Sequence, residues 1–182
     1  ILPKTPTRES TPIHSAAYGG QIAVLEWYQK RQYSVLTKDK DGNVPMHSAA
    51  YGGQIEMMKW LKKQNVSLTI MSTTGSYPVH SAAYGGQVEA LKFLQKEGCK
   101  LDVKDTLKGS TPMHSACFGG QVNAVAWLME QKQSLTTMDL DTGATPIHSA
   151  AFGGQVEVLA YLHKCGVNLN PKDKSGAEPA MS

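Results

Sequence analysis

No stretch of the chain approaches the ~20 consecutive apolar residues that a membrane-spanning helix needs. Charge is sparse as well: 18% of 182 residues are charged, for a net +3. So mild a balance argues against nucleic acid as a partner and against membrane insertion or an anionic membrane surface. Cysteine is scarce. Cys99, Cys117 and Cys165 are odd in number and scattered, which speaks against a disulfide framework and a Cys-x-x-Cys metal motif. Free thiols point to a reducing compartment, and the expected location is cytoplasmic. Neither an initiator methionine nor an apolar leader precedes Ile1, so the chain reads as trimmed or processed.

What the chain has is repetition. His-Ser-Ala-Ala-Tyr-Gly-Gly-Gln begins at His14, His47 and His80 without a change, and edited copies begin at His114 and His148. The histidines stand 33, 33, 34 and 34 residues apart, a period that means one small unit copied in tandem. Residues present five times in one register argue for framework rather than for a catalytic site, which is needed once.

The second copy shows the unit. Asp41-Gly42-Asn43 is turn chemistry. Pro45 suits a first helical position, where its missing N–H costs nothing, and Met46 to Tyr51 predicts a short, closely packed helix. Gly52-Gly53 ends it, since glycine takes the left-handed conformation readily at a helix C-terminus. From Ile55 to Leu61 the apolar positions are 0, 2, 3, 5 and 6, which predicts a second helix covered on several sides. Ala23, Ala126 and Ala160 are softer occupants of the two open positions. Asn65, Gly98 and Gly166 are expected to stop the second helix. No unit can bury its own apolar arc, so stacking is obligatory.

Thr-Pro-Ile-His-Ser-Ala-Ala at 11–17, with its 33-residue period, resembles the Thr-Pro-Leu-His-x-Ala signature of the ankyrin repeat. The resemblance covers five units, placed at about 11–43, 44–76, 77–110, 111–144 and 145–175. An N-terminal extension is expected over 1–10 and the start of a truncated sixth repeat over 176–182. The resemblance implies an all-α solenoid of stacked helix–turn–helix units joined by β-turn or hairpin loops, binding other proteins on its concave side. It also implies that threonine caps the first helix and bonds the histidine. Val44 and Tyr77 depart from that, and their repeats are expected to be weaker by about 1 kcal/mol each. Gln21, Gln54, Gln87, Gln121 and Gln155 replace the family's second histidine and keep a donor and an acceptor. One extra residue in each of the loops Lys104–Gly109 and Met138–Gly143 enlarges two turn tips, making Lys108 and Leu140 candidate contacts.

Five histidines invite a metal reading, but neighbouring helices pack ~8–10 Å apart and a zinc ion needs every ligand nitrogen within ~2.1 Å. His14, His47, His80, His114 and His148 are therefore read as hydrogen-bonded staples, and His163, out of register, as a solvated side chain. His-Ser neighbours do not face each other on a helix, and no acidic residue recurs to orient a base. No Gly-Lys-Ser/Thr follows the glycine pairs, so a phosphate loop is not indicated. Lys59, Lys62, Lys63, Lys92 and Lys96 read as a solvated face. No catalytic residue, cofactor or metal is expected.

Tyr18, Tyr51, Tyr84, Phe118 and Phe152 form a ladder at the end of the first helices. Mutual packing along the solenoid and an aromatic interface strip are both open readings. Ser15, Ser48, Ser81, Ser115 and Ser149 are either small polar contacts beside it or close-packing residues bonded back into the helix. The expected function is a protein–protein interaction module, a scaffold or adaptor, monomeric on its own. The alternatives are a regulator or inhibitor that masks an enzyme, and the targeting arm of a larger protein, since both ends look cut.

Overall fold

A computed structural model of the protein describes residues 11–174 and Gly176. The expected extension over 1–10 and, Gly176 apart, the expected sixth-repeat start lie outside the described residues. Among the described residues ten helices run in five pairs and no strand occurs. The pairs are α1 (Pro12–Tyr18) with α2 (Ile22–Lys30), α3 (Pro45–Tyr51) with α4 (Ile55–Lys63), α5 (Pro78–Tyr84) with α6 (Val88–Lys96), α7 (Pro112–Phe118) with α8 (Val122–Glu130), and α9 (Pro146–Phe152) with α10 (Val156–Lys164). The all-α expectation of stacked helix–turn–helix units holds.

Each first helix opens on a proline whose predecessor is extended, as at Val44 (φ −102°, ψ 166°). That pairing suits a residue barred from the helical region by the proline after it. The first helices pack closely, each against the next, and the second helices touch more sparsely. Alanine explains the difference. Ala49, Ala50, Ala82 and Ala83 are fully buried, and such short side chains let backbones approach. The second helices insert Met57, Met58, Leu61, Leu91 and Leu94, all buried in one continuous core.

The two glycines of each elbow do different jobs. Gly52 is helical (φ −83°); the left-handed residue is Gly53 (φ 72°). A β-carbon on Gly52 would lie 2.4 Å from the carbonyl oxygen of Tyr18 in the preceding repeat. The first glycine thus permits close contact between repeats, and the second turns the chain. The second also seats a neighbour: a β-carbon on Gly53 would meet Oε1 of Gln87 at 2.4 Å. The glutamines bond as well, Gln87 and Gln121 donating to Gly85 and Gly119 at 2.9 and 2.7 Å, and Gln155 to Phe118 of the preceding repeat at 3.0 Å.

His14, His47, His80 and His114 are buried and join one repeat to the next, and His148 is half-buried. Nε2 of His14, His47, His80 and His114 donates to the carbonyls of Asn43, Ser76, Ser110 and Ala144 at 2.8, 3.1, 3.0 and 3.1 Å. A carbonyl only accepts, so the proton sits on Nε2 and Nδ1 is the acceptor. The hydroxyls of Thr11, Thr111 and Thr145 donate to Nδ1 of His14, His114 and His148 at 2.8, 2.9 and 2.9 Å. The backbone N–H of Val44, Tyr77, Thr111 and Thr145 also donates to that nitrogen, at 3.2, 3.2, 3.1 and 3.2 Å, and at Val44 and Tyr77 it does so with no hydroxyl beside it. Threonine here serves the imidazole and makes no side-chain cap bond to its helix. The expected cap deficit at Val44 and Tyr77 is therefore misplaced: what they lack is one hydroxyl donor to a ring nitrogen. Val44 is fully buried, and Tyr77 stacks on His80 with centroids 5.8 Å apart.

The second helices end on left-handed residues in every repeat. Asn65, Gly98 and Gly166 hold that conformation as expected (φ 62°, 86° and 75°), and in the other two repeats Gln32 (65°) and Lys132 (59°) are forced into it.

Candidate protein-binding surface

Tyr18, Tyr51, Tyr84, Phe118 and Phe152 close their first helices, each one residue before the elbow. Because the elbow glycine lets adjacent backbones nearly touch, the rings fall into one line. Centroid separations are 5.6, 5.8, 5.9 and 6.1 Å, with planes inclined by 32°, 31°, 28° and 23°. Offset pairs at these distances contribute about 0.5–1.5 kcal/mol each beyond the area they bury. Packing does not hide them, however. Tyr18 is 44% exposed, Phe118 39% and Phe152 87%, with Tyr51 and Tyr84 half-buried. The two open readings of the ladder are not exclusive: the rings pack on each other and still meet solvent.

Ser48, Ser81, Ser115 and Ser149 are half-buried and Ser15 exposed. Each lies at the middle of a seven-residue helix, roughly 10 Å long at 1.5 Å per residue, and each backbone carbonyl accepts the N–H of the first elbow glycine at 2.9–3.0 Å. The strip therefore has rings along one edge, small hydroxyl residues in its middle, and the loops that precede the first helices along its other edge.

Those loops project as fingers held by carboxylates. Oδ1 of Asp105 accepts from the N–H groups of Leu107, Lys108 and Gly109 at 3.1, 2.7 and 3.1 Å, and Oδ1 of Asp139 from those of Thr142 and Gly143 at 2.9 and 2.8 Å. This is how the two longer tips house their extra residue. Lys108 and Leu140, both exposed, are brought together, the N–H of Leu140 donating to the carbonyl of Lys108 at 2.7 Å. Leu107 (66%), Leu140 (65%), Met71 (45%) and Met138 (40%) give the fingers an exposed apolar tip.

Burial lowers the affinity of His47, His80 and His114 for protons, so they hold one proton and one bonding pattern near neutral pH. Burial likewise pushes the Cys117 thiol up to about 12, which leaves it unreactive. Cys99 is buried too, and only Cys165 is exposed. No group of three or more His, Cys, Asp or Glu is arranged to hold a metal ion among the described residues, and no helix there is long and apolar enough to cross a membrane.

A second aromatic register escapes the reading of the sequence. Trp27, Trp60, Phe93, Trp127 and Tyr161 recur at 33, 33, 34 and 34 residues, always at the sixth residue of the second helix. Their signal is the period itself, masked because that position also belongs to the apolar arc.

Two family profiles match the chain. One, described as ankyrin repeats (3 copies), matches residues 79–173; the other, described as ankyrin repeats (many copies), matches residues 13–61. No curated protein matches it.

Proposed function

The chain belongs to the ankyrin-repeat family, whose repeats are generally protein–protein interaction modules and typically non-enzymatic, and from that premise we propose that it is an adaptor or scaffold gripping one extended partner across its first-helix strip. Repeats at about 11–43, 44–76, 77–110, 111–144 and 145–175 supply one rung each. Closer packing in the first-helix row than in the second supports a stack that curves toward the first helices, with the strip on its concave side. Tyr18, Tyr51, Tyr84, Phe118 and Phe152 offer ring edges, Ser48, Ser81 and Ser115 give small polar contacts, and Lys108 and Leu140 reach the partner from the fingers. The chain is monomeric alone, and its free thiols suit the cytoplasm.

The observation that carries this reading is the unbroken line of five rings, three of them exposed and two half-buried. Aromatic side chains dominate the energy of protein interfaces because they bury large, rigid surfaces at little entropic cost. Photo-crosslinking tests it. A benzophenone amino acid in place of Tyr84, in cells making the chain, is expected to trap one partner, displaced by excess unmodified protein. The same probe in place of Asn123, exposed on α8, is the control. Equal trapping from both positions would overturn the assignment of the strip.

A further inference from the structure

The second aromatic register meets different surroundings along its length. Trp127 is 8% exposed, part of the core. Trp27, half exposed, carries the Arg31 guanidinium 3.7 Å above its ring. Between them Trp60 on α4 and Phe93 on α6 are half-buried and line one groove of 550 Å³, together with Ile22, Glu56, Lys59, Lys62, Lys63 and Glu97. The groove lies on the second helices, the opposite element of each pair from the ring ladder.

Charge around it is uneven. Lys59 pairs with Glu56 and Lys92 with Glu89, each at 2.7 Å, while Lys62 reaches across to Glu97 of the next repeat. The carboxyl of Glu97 is held below its usual pKa chiefly by the hydrogen bond from Lys62. Of the charged residues lining the groove, three lysines (Lys59, Lys62, Lys63) against two glutamates (Glu56, Glu97) leave a surplus of one positive charge. Lysine in the last turn of a helix has an ordinary explanation in the helix dipole. That explanation does not reach Trp60 and Phe93, half-buried in the same groove as the lysines.

We propose that this groove is a second protein-docking site, separate from the ring ladder, and that it takes an acidic segment of a partner bearing one or two large apolar side chains. The apolar anchors fill the space between Trp60 and Phe93, as side chains of a docked segment do in a helix-lined groove. The carboxylates meet Lys63 directly, and Lys59 and Lys62 in exchange for their pairing with Glu56 and Glu97. A nucleic acid or anionic membrane fits worse, because Glu56 and Glu97 line the groove itself. A second copy of this positively charged chain would bring like charge to like.

The three tryptophans of the chain, Trp27, Trp60 and Trp127, all belong to this register, so their indole N–H signals report on it by NMR. The probe is a set of synthetic twelve-residue peptides with two leucine, phenylalanine or tryptophan anchors four residues apart among aspartates and glutamates. Charge-reversed peptides carrying lysine serve as counterparts. The Trp60 signal is expected to shift saturably with a Kd on the order of 10–100 μM, while that of Trp127 stays in place. Lys63→Glu, an exposed change, should weaken binding about fivefold, and Tyr84→Ala should leave it unchanged. The proposal is overturned by any of four results. These are no saturable shift of Trp60 with any acidic peptide, an equal response to the charge-reversed set, loss of the shift in Tyr84→Ala, or a Trp60 shift produced only by phosphatidylserine vesicles or by raising the protein concentration.

Discussion

Tyr51 and Tyr84 meet across a repeat boundary with ring centroids 5.8 Å apart and planes inclined by 31°, and the backbone brings them there. A β-carbon on Gly85, the residue after Tyr84, would lie 2.3 Å from the carbonyl oxygen of Tyr51. The ring spacing and the bare α-carbon are one geometric fact: the ladder exists because glycine follows each ring.

Gly85→Ala is therefore expected to destabilise the array by about 1–3 kcal/mol, the range for forcing extra volume into a packed site. The conflict is with backbone, not with a side chain that could swing away, and φ at Gly85 is an ordinary −80°. Gly98→Ala provides the contrast. Its added carbon would meet nothing within 4 Å, but its φ is 86°, so only the conformational cost of about 1–2 kcal/mol applies. Denaturant melts of both variants, with Tyr fluorescence as a reporter of the ladder, separate the two causes. Only Gly85→Ala should perturb the rings.

Gln32 and Lys132 are exposed residues held at φ 65° and 59° where other repeats place Gly98 and Gly166. Replacing each with glycine removes the left-handed penalty and adds unfolded-state entropy, and the former is larger. Each change should stabilise by about 0.5 kcal/mol, read as a rise in melting temperature. A fall in both variants would contradict the account of these helix ends.

The staples make stability depend on pH. Burial is the main cause that lowers the proton affinity of His47, His80 and His114 in the folded chain below the ordinary pKa of 6.5, only partly opposed by their backbone hydrogen bonds and nearby aspartates. The unfolded chain then binds protons near pH 6.5 that the folded chain resists. Stability is full above that value and falls as pH drops through it toward the lower folded pKa values. The denaturant midpoint is expected to decline between pH 7 and 5, and the decline should shrink when His80 is replaced by glutamine. A midpoint flat across that window would contradict the neutral Nε2-protonated staple.

The fold was legible because its determinants are local and repeated five times: proline at the first helical position, the alanine pair, the glycine elbow and the apolar arc. What was hidden depends on the neighbouring repeat. Gly-Gly reads as a helix stop from sequence, and only the stack shows that Gly52 yields to Tyr18 while Gly53 turns the chain and seats Gln87. Val44 and Tyr77 look like lost caps until the structure shows the threonine hydroxyl bonded to imidazole, beside a backbone N–H bond that Val44 and Tyr77 keep. Trp60 and Trp127 occupy one register position, yet one is half-buried in a groove and the other in the core. No property of the position itself tells them apart.

The central claim is that the ring edges bind a partner, beyond holding the stack together. Tyr84→Leu tests it most directly, because leucine keeps an apolar side chain but removes the ring and hydroxyl. With the partner trapped at position 84, isothermal titration calorimetry and a thermal melt are run on the same preparations. The account predicts affinity at least about tenfold weaker, the effect of losing one aromatic hot spot, with a melting temperature lower by only a few degrees. An unchanged Kd, whatever happens to the melt, would contradict it and leave the ladder a purely structural spine.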